Sequence, residues 1–506
     1  MTVAYLLGAA ILLPILAGLL LLMTQGKWKN RTVKCTMIFL VLALTTVLAV
    51  KLMLMGDYEF PLWKLTETLE VLVRMDHLTR LFLGMTVAAW TLGGVFAFEY
   101  MKHEENEDRY FGFYLIVLGV LIALDHAGNL ITLYLFFELM TLTSLPLVLH
   151  NLSHEAVMAG LKYLFYSVAG AFAALFGIFY LYSHGAGSFF VEGGYLTESS
   201  YTGSHGMTLL ILLLMILGFG TKAGMFPMHG WLPTAHPVAP APASAVLSGI
   251  ITKSGVLAII RVVFYTAGGD YLRGTWVQYA WMTLALITVF MGSMMAYKEQ
   301  ILKKRLAYST VSQVSYILFG LSLLNVSGMA GALSHFVFHS VVKNCLFLCA
   351  GAMIYKTGKT TVKELKGIGK EMPVTMWCFT LVSITLVGIP PTSGFVSKWY
   401  LATGSLETGI PGYAWAGPVI LLLSAMLTAG YLLPVSIQAF FPGHQYDYDQ
   451  VQKREPNLWM TVPMLLFTIA AVVFGIFPGT FMNFLLNIPS NLKHDIFLPF
   501  THFPVL

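Results

Sequence analysis

Several ionisable side chains sit inside runs that are otherwise apolar, and proton transfer is the chemistry they share. Glu138 lies in LITLYLFFELMTLTSLPLVL, and Lys162 lies about one turn into the next apolar run. Lys222 and Lys253 occupy two runs that meet across GFGTKAGMFPMHGWLPTAHPVAPAPASAVLSGIITKSGV, Gly218 to Val256. His335, His339 and Lys343 follow at i, i+4 and i+8, which puts all three on one helical face. Lys398 comes just after the breaker-rich GIPPTSGF. Eight such groups isolated in lipid, at roughly 3 kcal/mol each, would cost about 24 kcal/mol, more than the whole stability of a typical protein. They must pair with one another or line a wet interior. Burial narrows the gap between charged and neutral forms, and alternating amines, imidazoles and a carboxylate then make a proton wire. The candidate relay is Glu138, Lys222, Lys253, His335, His339 and Lys398, with Lys162, Lys343 and His229 as further members.

Each group also has a plain structural interpretation. Glu138 can serve only as an ion-pair partner, Lys162 and Lys398 can snorkel to an interface, and the histidines can be satisfied core residues. His229 and His236 flank a proline-rich connection and are placed either to admit protons or to pack the loop. Asp76, His77 and Arg80 open the third apolar run and read as interface anchors, with Arg80 paired to Asp76 or a headgroup. Glu99 and the stretch Lys102–Arg109 read as a solvated face, and Asp125 with His126 as an outer turn. GIGKEM at Gly367 fails the dinucleotide pattern, and no phosphate-binding loop, CxxC or haem motif occurs. Of four cysteines, Cys345 and Cys349 share a helical face and read as packing residues, since an iron–sulfur site needs four ligands. No metal or cofactor site is expected in this chain.

The elements that hold these groups follow from composition. The 506 residues are 57% hydrophobic and only 10% charged, against about 25% charged in soluble domains. Apolar runs of membrane-spanning length recur throughout. About fourteen are expected, near 3–24, 33–54, 78–100, 109–126, 128–149, 156–183, 206–227, 242–265, 275–296, 305–324, 327–354, 374–402, 416–440 and 457–484. No strand alternation persists, so an all-α polytopic bundle is expected rather than a barrel. The first run has no basic stretch before it and reads as a span rather than a cleaved signal.

Cations concentrate in the odd-numbered connections: Lys27, Lys29, Arg31 and Lys34; Lys102 and Arg109; Lys298, Lys303, Lys304 and Arg305; Lys356 to Lys370; Lys453 and Arg454. The second connection instead carries Asp57, Glu59, Glu67 and Glu70. Odd connections should be cytoplasmic and both termini outside, as in a prokaryotic cytoplasmic membrane protein. Glycine and proline beside Lys222, Lys253 and Lys398 predict broken helices there, the seventh and twelfth spans above all. Lys222 to Lys398 and Lys162 to His339 recur at nearly one interval, the pattern of an inverted repeat with paired interrupted helices.

Together these stretches resemble a known family. Glu138 in LFFELMTLTSLPLV, the segment FGTKAGMFPMHGWLPTAHPVAPAPASAVLSG, KKRLAYSTVSQVSY, SHFVFHSVVKNCLFLCAGA and GIPPTSGFVSKWY are similar to the antiporter-like subunits of respiratory complex I, Mrp-type cation/proton antiporters and membrane-bound energy-converting hydrogenases. The resemblance implies two inverted five-helix repeats. Residues 1–108 would hold helices 1–3, 109–265 the first repeat, 275–440 the second, and 441–506 the last helix and tail. It also implies that Glu138 pairs with Lys222, that Lys253 is the central relay, that His335 and His339 bridge the second half, and that Lys398 is the terminal lysine. The implied function is proton translocation within a redox-driven hetero-oligomeric complex, with iron–sulfur and NiFe or flavin centres in partner subunits. An Mrp-type Na⁺/H⁺ antiporter subunit and a stand-alone secondary carrier are the alternatives, and a proton-silent scaffold is a third.

Overall fold

The computed structural model describes residues 2–28, 30–64, 66, 69–185, 189–443 and 451–488. Lys29 and Glu67 lie outside the described residues. Three long helices open the chain: α1 (Thr2–Met23), α2 (Arg31–Leu54) and α3 (His77–Tyr100). Asn30 and Asp76 cap the last two by accepting from main-chain N–H groups of the first turn. The second connection, expected as an acidic loop, is instead an antiparallel hairpin of β1 (Tyr58–Lys64) and β2 (Glu70–Met75). Its register shifts between Pro61 and Trp63, where proline has no N–H for the ladder.

The next group is α4 (Glu107–Asp125), α5 (Leu130–Val148), α6 (His154–Ser183) and α7 (His205–Ala223). α7 stops short of the expected 227, at Gly224, whose φ of 77° is the left-handed cap. The proline-rich stretch beyond it is no open connection. It forms α8 (Leu232–Val238) and then α9 (Ala241–Val246), with Leu232, His236 and Ala241 fully buried. A π turn, Leu247–Ile251, leads into α10 (Thr252–Val262), and a second, Val263–Ala267, leaves it. The run that holds Lys253 is therefore loosened, not broken. Its prolines stand N-terminal to it, and Pro233 and Pro242 sit at helix starts that tolerate them.

The rest comprises α11 (Gly269–Leu272), α12 (Trp276–Lys298), α13 (Leu302–Ser322), α14 (Val326–Thr357), α15 (Ile368–Glu371), α16 (Pro373–Val387), α17 (Ser393–Glu407), α18 (Tyr413–Phe440), α19 (Leu458–Ile476) and α20 (Gly479–Leu486). As expected, the twelfth apolar run is interrupted: α16 ends at Gly388, φ 88°, and α17 restarts after the two prolines. Lys222 stands before its break and Lys398 after its own, so an equal interval in sequence is not an equal position relative to the break. Among the described residues, eleven helices are long and apolar enough to cross a membrane.

The α9–α10 run and α14 form the enclosed centre, while α1 and α2 turn Leu12, Leu16, Leu40 and Val47 outward. Facing glycines bring α6 and α7 together. A Cβ on Gly170 or on Gly218 would stand 2.4 Å from the other's carbonyl oxygen, so no side chain fits there. The connection expected to be a solvated face is exposed at Lys102, His103, Glu105 and Asn106, but its two ends are buried: Glu99 binds Lys102 and Tyr355, and Asp108 holds Lys34 at 2.5 Å.

Candidate functional site

α7 ends with Lys222 inside the bundle, pressed against α6. Its Nζ donates to the Tyr163 hydroxyl and to Ser167 Oγ, each at 2.9 Å. The Tyr163 hydroxyl also meets Ser144 Oγ of α5 at 2.7 Å, so three helices share one polar knot. Trp231 covers it, its Nε1 donating to the Thr221 carbonyl. Glu138 is half-buried on α5, and its Oε1 has no hydrogen-bond partner among the described residues. It makes no ion pair with Lys222, contrary to the expected contact, because the lysine reaches the hydroxyls of α6 instead. The carboxylate still acts electrostatically on both Lys222 and Tyr163. Lys162 is half-buried and lies within electrostatic reach of His229, whose ring stacks on Phe226 at 6.0 Å.

The π turn before α10 explains the setting of Lys253. Such a turn leaves main-chain carbonyls outside the usual ladder, and Lys253 Nζ donates to one of them, the Ser248 carbonyl. Ser248 Oγ meets Thr310 Oγ1 of α13 at 2.6 Å. Lys343 is fully buried on α14 and donates to the Leu306 carbonyl at 3.0 Å. Lys253 lies within electrostatic reach of Lys343, His335 and His339.

From there α14 continues the line. The His339 ring lies 5.9 Å from that of His335, and neither nitrogen of His339 has a hydrogen-bond partner among the described residues. His335 meets Ser397 Oγ at 2.9 Å through Nδ1 and Gln313 Oε1 at 3.1 Å through Nε2. Its ring stacks on Tyr316 at 5.2 Å, and Lys398 Nζ stands 5.3 Å from that same tyrosine ring. Lys398 donates to the Leu386 and Val387 carbonyls, both at 2.7 Å, and so closes the end of α16. The structure thus joins Lys398, Tyr316, His335 and His339 in one unbroken contact, with Lys343 and Lys253 beside it. Lys222, Lys253, Lys343 and Lys398 make no ion pair among the described residues.

Sequence reasoning missed the hydroxyls and the amide: Tyr163, Ser167, Tyr316, Ser397 and Gln313. For Gln313 and Tyr316 the polar run YSTVSQVSY was the available signal. It also passed over Arg261, an arginine inside an apolar run. Arg261 is buried and grips Asp76 through both terminal nitrogens, at 2.6 and 3.1 Å, and Thr79 Oγ1 at 3.0 Å. Arg80, expected on Asp76 or a headgroup, binds Asp57 at 2.5 Å and the Met53 and Met55 carbonyls. Asp125, read as an outer turn, is buried and accepts from Thr86 Oγ1 at 2.8 Å. Cys345 and Cys349 hold their sulfurs 3.9 Å apart against α19.

Known proteins resemble this chain in sequence and in fold. A family model described as NADH:quinone oxidoreductase/Mrp antiporter, TM, matches residues 127–432. The chain is 32% identical to NADH-quinone oxidoreductase subunit N of Desulforudis audaxviator over 396 residues, 76% of this chain and 77% of that one. It is 29% identical to hydrogenase-4 component B of Escherichia coli, covering 81% of this chain and 63% of the relative. With an Na(+)/H(+) antiporter subunit of Bacillus subtilis the identity is 26%, over 92% of both. Among solved structures it shares its fold with a chain of the Mrp complex from Dietzia sp. (TM-score 0.83, 22% identity, 98% of each chain covered). It does so as well with a chain of respiratory complex I from Thermus thermophilus (TM-score 0.81, 23% identity, 96% of this chain and 98% of that one).

Proposed function

The chain belongs to the NADH:quinone oxidoreductase/Mrp antiporter membrane family, and from that premise we propose that its central lysines and histidines form the path by which protons cross the bilayer. One observation carries the proposal: a contact line from Lys398 through Tyr316 and His335 to His339, beside Lys343 and Lys253, with no carboxylate paired to these lysines among the described residues. Charges kept at such cost without partners are kept to be moved. Glu138 and Lys222 form the switch. A neighbouring subunit that withdraws or supplies charge near Glu138 changes the hold on the Lys222 proton. Charge at ~4 Å and an effective dielectric of ~20 is worth ~4 kcal/mol, enough to change which group carries it.

The multi-pass chain then has fourteen spans. Eleven are the long apolar helices, and α4, α13 and the interrupted α16–α17 pair supply the others. α4 to α10 and α12 to α18 form two inverted repeats, and both termini face outward in a prokaryotic cytoplasmic membrane. The host is a redox-driven, hetero-oligomeric complex. Its iron–sulfur and NiFe or flavin centres belong to other subunits, and a neighbouring antiporter-like or small membrane subunit packs beside Glu138. The match over 92% of the Bacillus subtilis Na(+)/H(+) antiporter chain supports an Mrp-type host as the second reading.

Glu138→Gln and Lys222→Ala test the role in the intact complex. Both should assemble to wild-type levels and abolish proton translocation, read by dye quenching in inverted vesicles. Wild-type pumping in both variants sinks the proposal. Electrogenic transport measured with and without Na⁺ separates the two hosts.

A further inference from the structure

The break between α16 and α17 carries Lys398, and its own chemistry leaves its shape loosely fixed. No side chain caps the first turn of α17, and Ser393 Oγ, fully buried there, has no hydrogen-bond partner among the described residues. The turn bonds mainly to itself: Thr392 donates its N–H and its hydroxyl to the Ile389 carbonyl, at 3.0 and 2.7 Å. Ile389 reaches back to the Ile384 carbonyl of α16 at 3.3 Å, a long bond.

Packing supplies the rest, at two glycines. Gly394 is seated so closely on the Thr385 carbonyl of α16 that no Cβ fits. On the other side of the turn stands Gly475, near the end of α19. A Cβ on Gly475 would overlap the Pro391 carbonyl oxygen and the Ser393 nitrogen, and would stand 2.6 Å from the Thr392 carbonyl carbon. All three are main-chain atoms, which cannot swing aside as the tip of a side chain can. A methyl needs ~3.5 Å from a carbon, so helix and turn would have to part by about 1 Å. α19 is anchored elsewhere. Phe474 packs on Phe338 of α14 at 5.7 Å between ring centres and on Phe481 at 5.0 Å. The Met464 carbonyl and Thr468 Oγ1 each meet Cys345 Sγ of α14 at 3.4 Å. Phe338 directly precedes His339. One turn of α19 therefore touches both the helix that carries the two histidines and the turn that leads to Lys398.

We infer that Gly475 is a positioning residue for Lys398. The inference rests on the proton-path reading above and adds to it a residue from another helix that sets its geometry. The bare Cα lets α19 lie against the break and keep the start of α17 pressed on the end of α16. There Lys398 Nζ meets the Leu386 and Val387 carbonyls at 2.7 Å, and its stem runs past Gly388. Those carbonyls end a helix and have no ladder partners of their own. A separation of about 1 Å carries both bonds beyond hydrogen-bond range. The same shift changes the distance from Lys398 to the Tyr316 ring, which joins it to His335.

The test uses the intact complex in vesicles, with assembly checked by immunoblot and local opening read by amide hydrogen exchange. Gly475→Ala should slow translocation about tenfold and Gly475→Val about a hundredfold, the scale of loss that a misplacement near 1 Å brings. In both, the amides of residues 386–398 should exchange faster, while those around Gly224, at the other break, stay as in wild type. Gly479→Ala, four residues on with nothing within 4 Å of its Cβ, should change neither reading. Phe474→Leu loosens α19 from Phe338 without crowding the turn. It should slow translocation about threefold with the same exchange pattern, and it decides the matter if the Gly475 variants do not assemble. Lys398→Met is the reference. If it stops translocation while Gly475→Ala, or Phe474→Leu in its place, runs at the wild-type rate, the positioning role is refuted and the path stands. Slowing with faster exchange throughout α14 and α19, rather than at the break, refutes it too, since that is lost packing. If Lys398→Met also translocates normally, both readings are overturned.

Discussion

Two cations about two turns apart on α10 are treated in opposite ways. Arg261 is locked to Asp76 by two hydrogen bonds and to Thr79 by a third, with Arg74 alongside at 3.3 Å from the same carboxylate. Lys253 has one main-chain carbonyl, and the charged group that acts on it most strongly is another base, Lys343. Both are buried to the same degree. The fold could place a carboxylate against a buried cation, since it did so at Arg261 and again at Lys34. The lack of one around Lys253, among the described residues, is therefore specific to the middle of the bundle. A paired charge stays where it is, because losing either partner strands the other. An unpaired one has little to hold its proton.

The largest expected effect is at Lys253. Lys253→Met should lower translocation at least about a hundredfold, the loss expected when a proton carrier is removed from the middle of a relay. The same change should leave the thermal midpoint of the complex unchanged or raise it, since it removes an unpaired buried cation. Arg261→Met is the mirror image. It should cost about 3–5 kcal/mol, the usual penalty for stranding a buried partner, seen as poor assembly and a lowered denaturation midpoint. Adding Asp76→Asn should recover part of that loss. Arg261→Met complexes that assemble at wild-type levels but do not pump would erase the distinction between the two sites.

A smaller effect belongs to the hydroxyls that hold Lys222. A hydroxyl can accept from an ammonium or donate to a neutral amine, so Tyr163 and Ser167 suit both states of the lysine. The carbonyls that hold Lys398 can only accept. Tyr163→Phe should therefore slow translocation about tenfold, less than the roughly 10²–10⁴-fold that a positioned acid or base itself contributes, and Ser167→Ala less. Equal rates in Tyr163→Phe and wild type would show that the hydroxyl only packs.

The contrast between the two charge types also explains what the sequence made legible. The cations of the path stood out because lysine and histidine are conspicuous in apolar runs, and breakers beside Lys222 and Lys398 marked two interrupted helices. Partners were not legible. Arg261 meets Asp76 across most of the first half of the chain, and no local spacing announces such a contact. The hairpin at Tyr58–Met75 was hidden by its brevity, and α8 by prolines that read as a loop although two of them sit at helix starts. The expected Glu138–Lys222 contact failed for a geometric reason. The reach of Lys222 is spent on α6, which the close approach of Gly170 and Gly218 brings within range.

The acid response extends the comparison to the rim and is the smallest effect. Burial alone would raise the Asp76 carboxyl, but Arg261 and Arg74 hold it well below the usual carboxylate range. A depressed acid contributes stability that is lost only as pH falls through its low folded value, so this pair withstands mild acid. His150, in the turn between α5 and α6, has no such partner among the described residues. Burial, and then Arg109 beside it, push its imidazole down to about 4. The unfolded histidine titrates near ~6.5, so the unfolded chain takes up a proton first as pH drops. Stability is full above roughly 6.5 and falls toward pH ~4, by roughly 3 kcal/mol in all if nothing relaxes. The purified complex should therefore show a lower thermal midpoint at about pH 5 than at about pH 7.5. His150→Phe, which packs a neutral ring against Tyr110 in place of the imidazole, should shrink that difference. An unchanged difference would assign the acid sensitivity to another group and leave His150 as packing alone.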